Sequence, residues 1–235
     1  MKLVLIGYGK MGKTFEKVAQ EKGHEIIARF WDTHPFEVNE ETQALLKSAI
    51  LVDFSIGEAV LHNVQCAGKL GLSLVEGTTG WQDKVDQVKA LVEKSGIGMV
   101  YGSNFSIGVN LFYLVVEKAG ELFSKFSQYA PFIEEAHHQF KKDAPSGTAL
   151  ELVRILQKAY GSTSIPVTSI RAGYIPGEHR VSFDSPFDQI RLEHIARGRE
   201  GFAEGALLAA EWIQGKSGFY HFREILDKIL TERLP

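Results

Sequence analysis

The stretch KLVLI-GYGKMG at residues 2–12 constrains this chain more than any other. Five residues without polar alternation read as a strand buried on both faces, and glycines follow at once. Gly7, Gly9 and Gly12 match G-x-G-x-x-G, placed after a strand and opening a helix, the context that gives the pattern a mechanism. Gly7 permits the tight turn, Gly9 lets backbone approach a pyrophosphate, and Gly12 allows close helix–strand packing. The helix start then offers unpaired N–H groups and a partial positive charge to phosphates. A dinucleotide ligand is therefore expected.

The same grammar continues. TFEKVAQEKG has helical spacing and stops at Gly23. HEIIARFWD, ILVDFS, LSLVEGTTG and the run Ile97–Tyr101 read as further strands, with helical patterns at EAVLHNVQCAGKLG and near 82–95. Strands alternating with helices predict a doubly wound parallel sheet. After Asn104 the pattern changes. A helix is expected over about Val109–Phe123, then β-rich segments FIEEA, VTSIRA, HRVSF and QIRLEHIA, interrupted by the helix APSGTALELVRILQKAY. The helical stretches GFAEGALLAAEWIQGK and FREILDKIL close the chain.

The fold class expected is thus α/β: a Rossmann-like parallel-sheet domain over 1–104 and 200–235, plus a smaller α+β domain with a mixed or antiparallel sheet over 105–199. Positions near Phe105 and Gly201 would form a two-strand hinge, with the ligand cleft between the domains.

The net charge of −3 provides no global field for nucleic acid or anionic membrane, so any anion site must arise from local clustering. No apolar stretch approaches a membrane span, and Leu3–Ile6 is too short for a signal-peptide core. The lone Cys66 excludes an internal disulfide, fits the reducing cytoplasm and reads as a small buried hydrophobe.

Local clustering appears at 134–148, EEAHHQFKKDAPSGT. His137 and Lys141 are four apart, so a helix or an extended strand would put them on one side, with His138 directed elsewhere. Neighbouring cations favour proton release from one another, which suits a group that protonates a substrate. Pro145 suits a helix start, and backbone N–H groups at Gly147 and Thr148 would suit a carboxylate. Adjacent histidines project apart and no third ligand stands at useful spacing, so no metal is expected. From these residues alone, a charged surface loop ahead of a capped helix explains the stretch equally well.

Residues 135–149 carry E-x-H-H-x-x-K-x-D-x-P-S-G-T-A, which resembles the signature of the dihydrodipicolinate reductase family of diaminopimelate and lysine biosynthesis. Gly77-Thr78-Thr79-Gly80, Asn104 to Asn110, and the R-x-G-x-x-x-G-E-H run from Arg171 to His179 agree in order, so the resemblance covers essentially the entire chain. It implies an NADH- or NADPH-dependent reductase of 4-hydroxy-tetrahydrodipicolinate, a small dicarboxylate, assembled as a cytoplasmic homotetramer through the substrate-domain sheet. His137 would be the acid/base residue, Lys141 the proton donor and His138 a substrate contact, with Gly147 and Thr148 holding a substrate carboxylate. Cofactor contacts would come from Gly7, Tyr8, Gly9, Lys10, Met11 and Gly12, from Gly77, Thr78 and Thr79, and from Gly102, Ser103, Asn104 and Phe105. Arg199 falls near the family's hinge arginine.

The ribose-reading acid belongs about 20 residues past the glycine motif. Trp31 occupies that place and Asp32 comes one later, where a turn role ahead of His34-Pro35 is as good a reading. Lys10, Lys13 and Arg29 keep a 2′-phosphate open, so both cofactors stay in play. The region 30–50 is short for the family. His194 is expected at a sheet face in a structural role; His24, His34, His62, His179 and His221 read as surface or packing residues, and Trp81 and Trp212 as packing aromatics. Two other classes remain: another two-domain dehydrogenase of amino-acid metabolism, or a sensor that binds NAD(P) without turnover.

Overall fold

The computed structural model describes residues 1–161 and 164–233; the last two residues of the expected 200–235 segment lie outside them. The chain forms two compact units, Met1–Ile107 with Arg199–Pro235, and Gly108–Gly198.

The first unit is a six-stranded parallel sheet. Its strands are β1 (Lys2–Ile6), β2 (Glu25–Phe30), β3 (Ile50–Asp53), β4 (Leu74–Glu76), β5 (Gly98–Tyr101) and β10 (Gly218–His221). Their order is β10-β5-β4-β3-β1-β2. The lack of polar alternation in β1 has its reason in the two cores. Leu3 and Leu5 enter one with Phe15, Ala206 and Leu207, while Val4 and Ile6 enter the other with Val64, Val88 and Val92. Helices α1 (Lys10–Glu21), α7 (Glu200–Ile213) and α8 (Phe222–Arg233) supply the first face. Helices α3 (Val60–Leu70) and α4 (Val85–Ser95) supply the second. Between β2 and β3 the only helix is α2 (Glu40–Leu45), started by a reciprocal cap between Asn39 and Thr42.

Chain direction reverses its progress across the sheet between β1 and β3. The loops after β1, β3, β4 and β5 all leave from the carboxyl edge, where parallel sheets bind ligands.

The second unit packs α5 (Ile107–Phe123) and α6 (Gly147–Tyr160) on a four-stranded mixed sheet ordered β7-β6-β8-β9. β6 (Ala130–His137) runs parallel to β7 (Val167–Arg171) and antiparallel to β8 (Glu178–Asp184), which pairs antiparallel with β9 (Gln189–Ile195). Ile133, Val181 and Phe183 meet Phe112, Val116, Leu152 and Leu156 in a dry core. On the opposite face, register partners Glu134, Arg180 and Glu193 form a row of ion pairs.

Among the described residues no helix is long and apolar enough to cross a membrane. Cys66 is free and buried, and burial pushes its thiol pKa up.

Candidate active site

In β6, residues 133, 135 and 137 share one face, because side chains alternate along a strand. Ile133 occupies the dry core, while Glu135 and His137 carry the same face beyond it toward the strand's end. Sheet register brings partners from both sides. His137 stands opposite Arg171 of β7, and Glu135 opposite His179 of β8. Four polar side chains from three strands therefore meet on one face.

Their contacts form a connected set. Glu135, with its side chain fully out of solvent, accepts from Arg171 Nη2 at 2.7 Å and lies in close contact with His137 Nδ1, a pair that is ionic when the imidazole is protonated. That contact lies off the line of a hydrogen bond. Arg171 Nη2 also donates to the Asp143 carbonyl at 2.6 Å, and Asp143 pairs with Lys141 Nζ at 2.8 Å. The His179 ring stands edge-on to His137, with centroids 5.0 Å apart, and its Nε2 bonds Ser146 Oγ at 3.1 Å. Ser146 also caps α6 by accepting from the Ala149 N–H.

Charge follows from these contacts. Burial works to raise the Glu135 carboxyl. Hydrogen bonds from Arg171 and Ser169 and the nearby positive charges outweigh it and hold the group ionised, below its ordinary value. Burial lowers the His137 imidazole; Glu135 opposes this, and Lys141 and Arg171 assist it. Burial and the charge of His137 push His179 down to about 4, so it is neutral at physiological pH. Lys141 holds Asp143 below the usual carboxylate range.

Several expectations need correction. No regular element spans 137–141: β6 ends at His137, and the Lys141 N–H turns back to the His138 carbonyl at 3.1 Å. Arg171 and Asp143, rather than a shared face, link His137 to Lys141. Of the surface or packing roles expected of His179, packing is the one observed, and it comes with a hydrogen bond to Ser146 and edge-on contact with His137. A third donor does approach the histidine, since Glu135, His137 and His179 offer donor atoms within 4.8 Å of one another. Sheet register supplies it across strands, where local spacing could not. Arg171 already balances the Glu135 charge.

His138 is half-buried in the loop after β6, with its ring 6.1 Å from that of Phe140. Gly147 and Thr148 form the first turn of α6, and the Cβ direction at Gly147 is open. His194 stands opposite His179 in register, 6.1 Å from the Phe112 ring.

In the first unit the other candidate residues line the carboxyl edge. Gly7 has a left-handed φ of +86° and presses against the Phe54 backbone; a Cβ on Gly12 would strike the Gly7 carbonyl. Gly9 is different: its Cβ direction is open, and as N-cap of α1 it provides no side-chain cap. No acid stands in that first turn, which carries exposed Lys10 and Lys13 with half-buried Met11 between. These features fit a phosphate at the helix start.

The turn 77–79 lies alongside. The Gly77 N–H bonds the Asp53 carbonyl at 2.9 Å, and a Cβ at Gly77 would meet the Phe54 ring. The Gly102 N–H bonds the Glu76 carbonyl at 3.2 Å, joining the segment Gly102–Phe105 to the same edge. Thr79 and Ser103 are exposed, Thr78 is buried, and Phe105 packs on Phe222 at 4.7 Å. Asn104 Oδ1 accepts from the Ser106 N–H at 2.8 Å. Trp81 is buried and donates to the Thr78 carbonyl at 2.8 Å, steadying the turn from below.

Asp32 follows the end of β2, exposed in the tight turn Trp31–His34, where Oδ1 accepts from the Thr33 N–H at 2.9 Å. Arg29 is not a free cation. Its guanidinium pairs with Glu16 of α1, and the Tyr8 hydroxyl bonds the same carboxylate. That pairing holds Glu16 below its ordinary value.

Residues 1–105 match the family described as dihydrodipicolinate reductase, N-terminus, and residues 108–226 match its C-terminus. A 4-hydroxy-tetrahydrodipicolinate reductase of Christiangramia forsetii is 32% identical over 246 residues, covering 97% of this chain and 99% of its own. One from Methanoregula boonei is 36% identical over 251 residues, covering 96% and 97%. A dipicolinate-bound dihydrodipicolinate reductase from Paenisporosarcina sp. TG-14 has the same fold, with a TM-score of 0.80 over 96% of this chain and 99% of its own at 19% identity. This chain belongs to the dihydrodipicolinate reductase family.

Proposed function

We propose that the chain reduces 4-hydroxy-tetrahydrodipicolinate to tetrahydrodipicolinate with NADH or NADPH. The net balance is one hydride from the nicotinamide and one proton added to the ring, while the 4-hydroxyl and one ring hydrogen leave as water. When bound, the cofactor supplies the hydride chemistry; the protein binds, orients and moves protons.

The observation that carries this reading is the connected set His137–Glu135–Arg171–Asp143–Lys141, followed at once by the start of α6. In this reading His137 and Lys141 supply the proton as charge develops on the ring, which a pre-placed donor stabilises. A general acid contributes about 10²–10⁴-fold. The Gly147 and Thr148 backbone and His138 hold the carboxylates. Gly7 to Gly12, Gly77 to Thr79 and Gly102 to Phe105 hold the dinucleotide. Glycine at 9 suits close approach of a pyrophosphate because no described residue stands within 4 Å of that direction.

The test is oxidation of reduced cofactor with and without freshly made product of the upstream synthase. Substrate-dependent oxidation is expected. His137→Ala and Lys141→Ala should cut turnover strongly while nearly keeping cofactor affinity. Equal loss of nucleotide binding in these variants would count against the assignment, and binding without turnover in the wild type would indicate a sensor.

The same reading places the enzyme in the cytoplasm as a homotetramer joined through the four-stranded sheet. Exposed Ile170 and Ile195 fall in one row, through Ala136 and Glu178, on the face away from His137. Light scattering in solution tests the assembly.

A further inference from the structure

We propose that Glu135 and Arg171 are positioning residues for the proton-donating pair: Glu135 fixes the His137 ring through Nδ1, so that Nε2 is the nitrogen presented to substrate, and Arg171 ties that arrangement to the loop carrying Lys141. This rests on the functional reading above and extends it to two residues which that reading leaves without a part in proton delivery.

Three observations support it. The first is directional. His137 Nδ1 is shut from solvent against Glu135 Oε2, so Nε2 alone can reach a ligand. Gly177 keeps that nitrogen clear: a Cβ there would stand 3.2 Å from Nε2, and φ of +147° disfavours any side chain. A carboxylate pressed against one ring nitrogen restricts the imidazole by contact and charge and stabilises its protonated form, as the aspartate of hydrolytic triads does through a hydrogen bond.

The second concerns Arg171. A single nitrogen, Nη2, donates both to Glu135 Oε1 and to the carbonyl of Asp143, whose own carboxylate holds Lys141 Nζ. Nη1 meanwhile holds the Ile170 carbonyl, which fixes the guanidinium on its own strand. Moving Arg171 would therefore disturb the histidine and the lysine together. A lysine in its place keeps the charge and loses the planar fork.

The third is burial. Glu135 has no solvent exposure of its side chain, so without Arg171 it would be an uncompensated charge beside the ring it serves. His179 covers the other side, neutral and bonded to Ser146, and adds no competing charge.

The test reads His137 directly. In the wild type and in Glu135→Gln, Glu135→Asp and Arg171→Lys, the ring titration and tautomer are followed by nitrogen NMR in the free protein, beside melting temperature and steady-state kinetics. In Glu135→Gln the His137 titration should move to lower pH and the Nδ1-protonated tautomer should lose its dominance. kcat should fall about 10- to 100-fold, part of the contribution of a positioned acid, with KM for cofactor unchanged. Glu135→Asp should recover part of kcat. Arg171→Lys should lower kcat and shift the same titration; it also serves as the decisive variant if Glu135→Gln does not fold. An unmoved titration and tautomer in a folded variant would overturn the proposal, whatever happens to kcat. If the ring responds as expected but the wild type does not turn over the substrate, the positional link stands and the functional reading fails.

Discussion

Asp53 and Glu76 stand in register on adjacent parallel strands, and both side chains are fully shut from solvent. Asp53 accepts from the Ser55 N–H at 2.8 Å, Asn63 Nδ2 at 2.7 Å and Thr78 Oγ1 at 3.3 Å. Among the described residues Glu76 accepts from the Thr78 N–H at 2.8 Å, and its Oε2 meets no donor. The donors stabilise charge on Asp53, so the proton of the pair belongs on Glu76. Burial and the neighbouring Asp53 raise the Glu76 carboxyl well above 4.5.

Between 4.5 and that raised value, the folded chain keeps a proton that the unfolded chain has lost. Stability should therefore fall as pH rises through this window. Glu76→Gln keeps the acceptor for Thr78 and cannot ionise. It should raise the melting temperature by a few degrees at alkaline pH, with little gain in mild acid. Calorimetry across pH checks this; an unaltered pH slope would refute it.

The glycine loop allows fold and ligand effects to be separated. Gly12→Ala drives a Cβ into the Gly7 carbonyl and should cost about 1–3 kcal/mol of stability. Gly9→Ala meets no atom of the described residues within 4 Å, so melting should be unchanged while reduced-cofactor binding weakens. Thermal melts paired with fluorescence titration of the cofactor decide both.

His179 should impose an acid limit on stability. Its folded value is about 4 against an ordinary 6.5. Over that interval the unfolded chain takes up a proton which the folded chain refuses, so stability drops as pH falls. The full effect is roughly 3 kcal/mol. In His179→Gln the slope of stability between these values should flatten, as read by urea unfolding at several pH values.

Arg29 is held by Glu16 and Tyr8, which argues against a part in reading a 2′-phosphate. Arg29→Leu should lower stability by about 1–2 kcal/mol, discounted because the pair is partly exposed. It should leave the ratio of NADPH to NADH affinity unchanged. A selective loss of NADPH affinity would reverse this conclusion.

Most of the parallel sheet was legible in the sequence because its strands are apolar on both sides and punctuated by glycine. β10 was not: Gly-Phe-Tyr-His has no aliphatic run, and its place comes only from pairing with β5, distant in sequence. α2 escaped for a similar reason, being six residues held by a cap. At the candidate site, His137, Lys141 and the start of α6 could be read from a local stretch. Glu135, Arg171 and His179 could not be given parts, since only strand register brings them to His137. The alternation of Glu135 with His137, and the Arg171 to His179 run, were the available signals.

The late strand β10 carries one more implication. It pairs along β5, and α7 and α8 fill the core above β1, so the first unit is finished by residues made after the entire second unit. During synthesis the edge of β5 waits uncovered while more than a hundred further residues are added. A ribosome stalled before Gly218 would hold a nascent sheet with an open rim, a surface for chaperones or for aggregation.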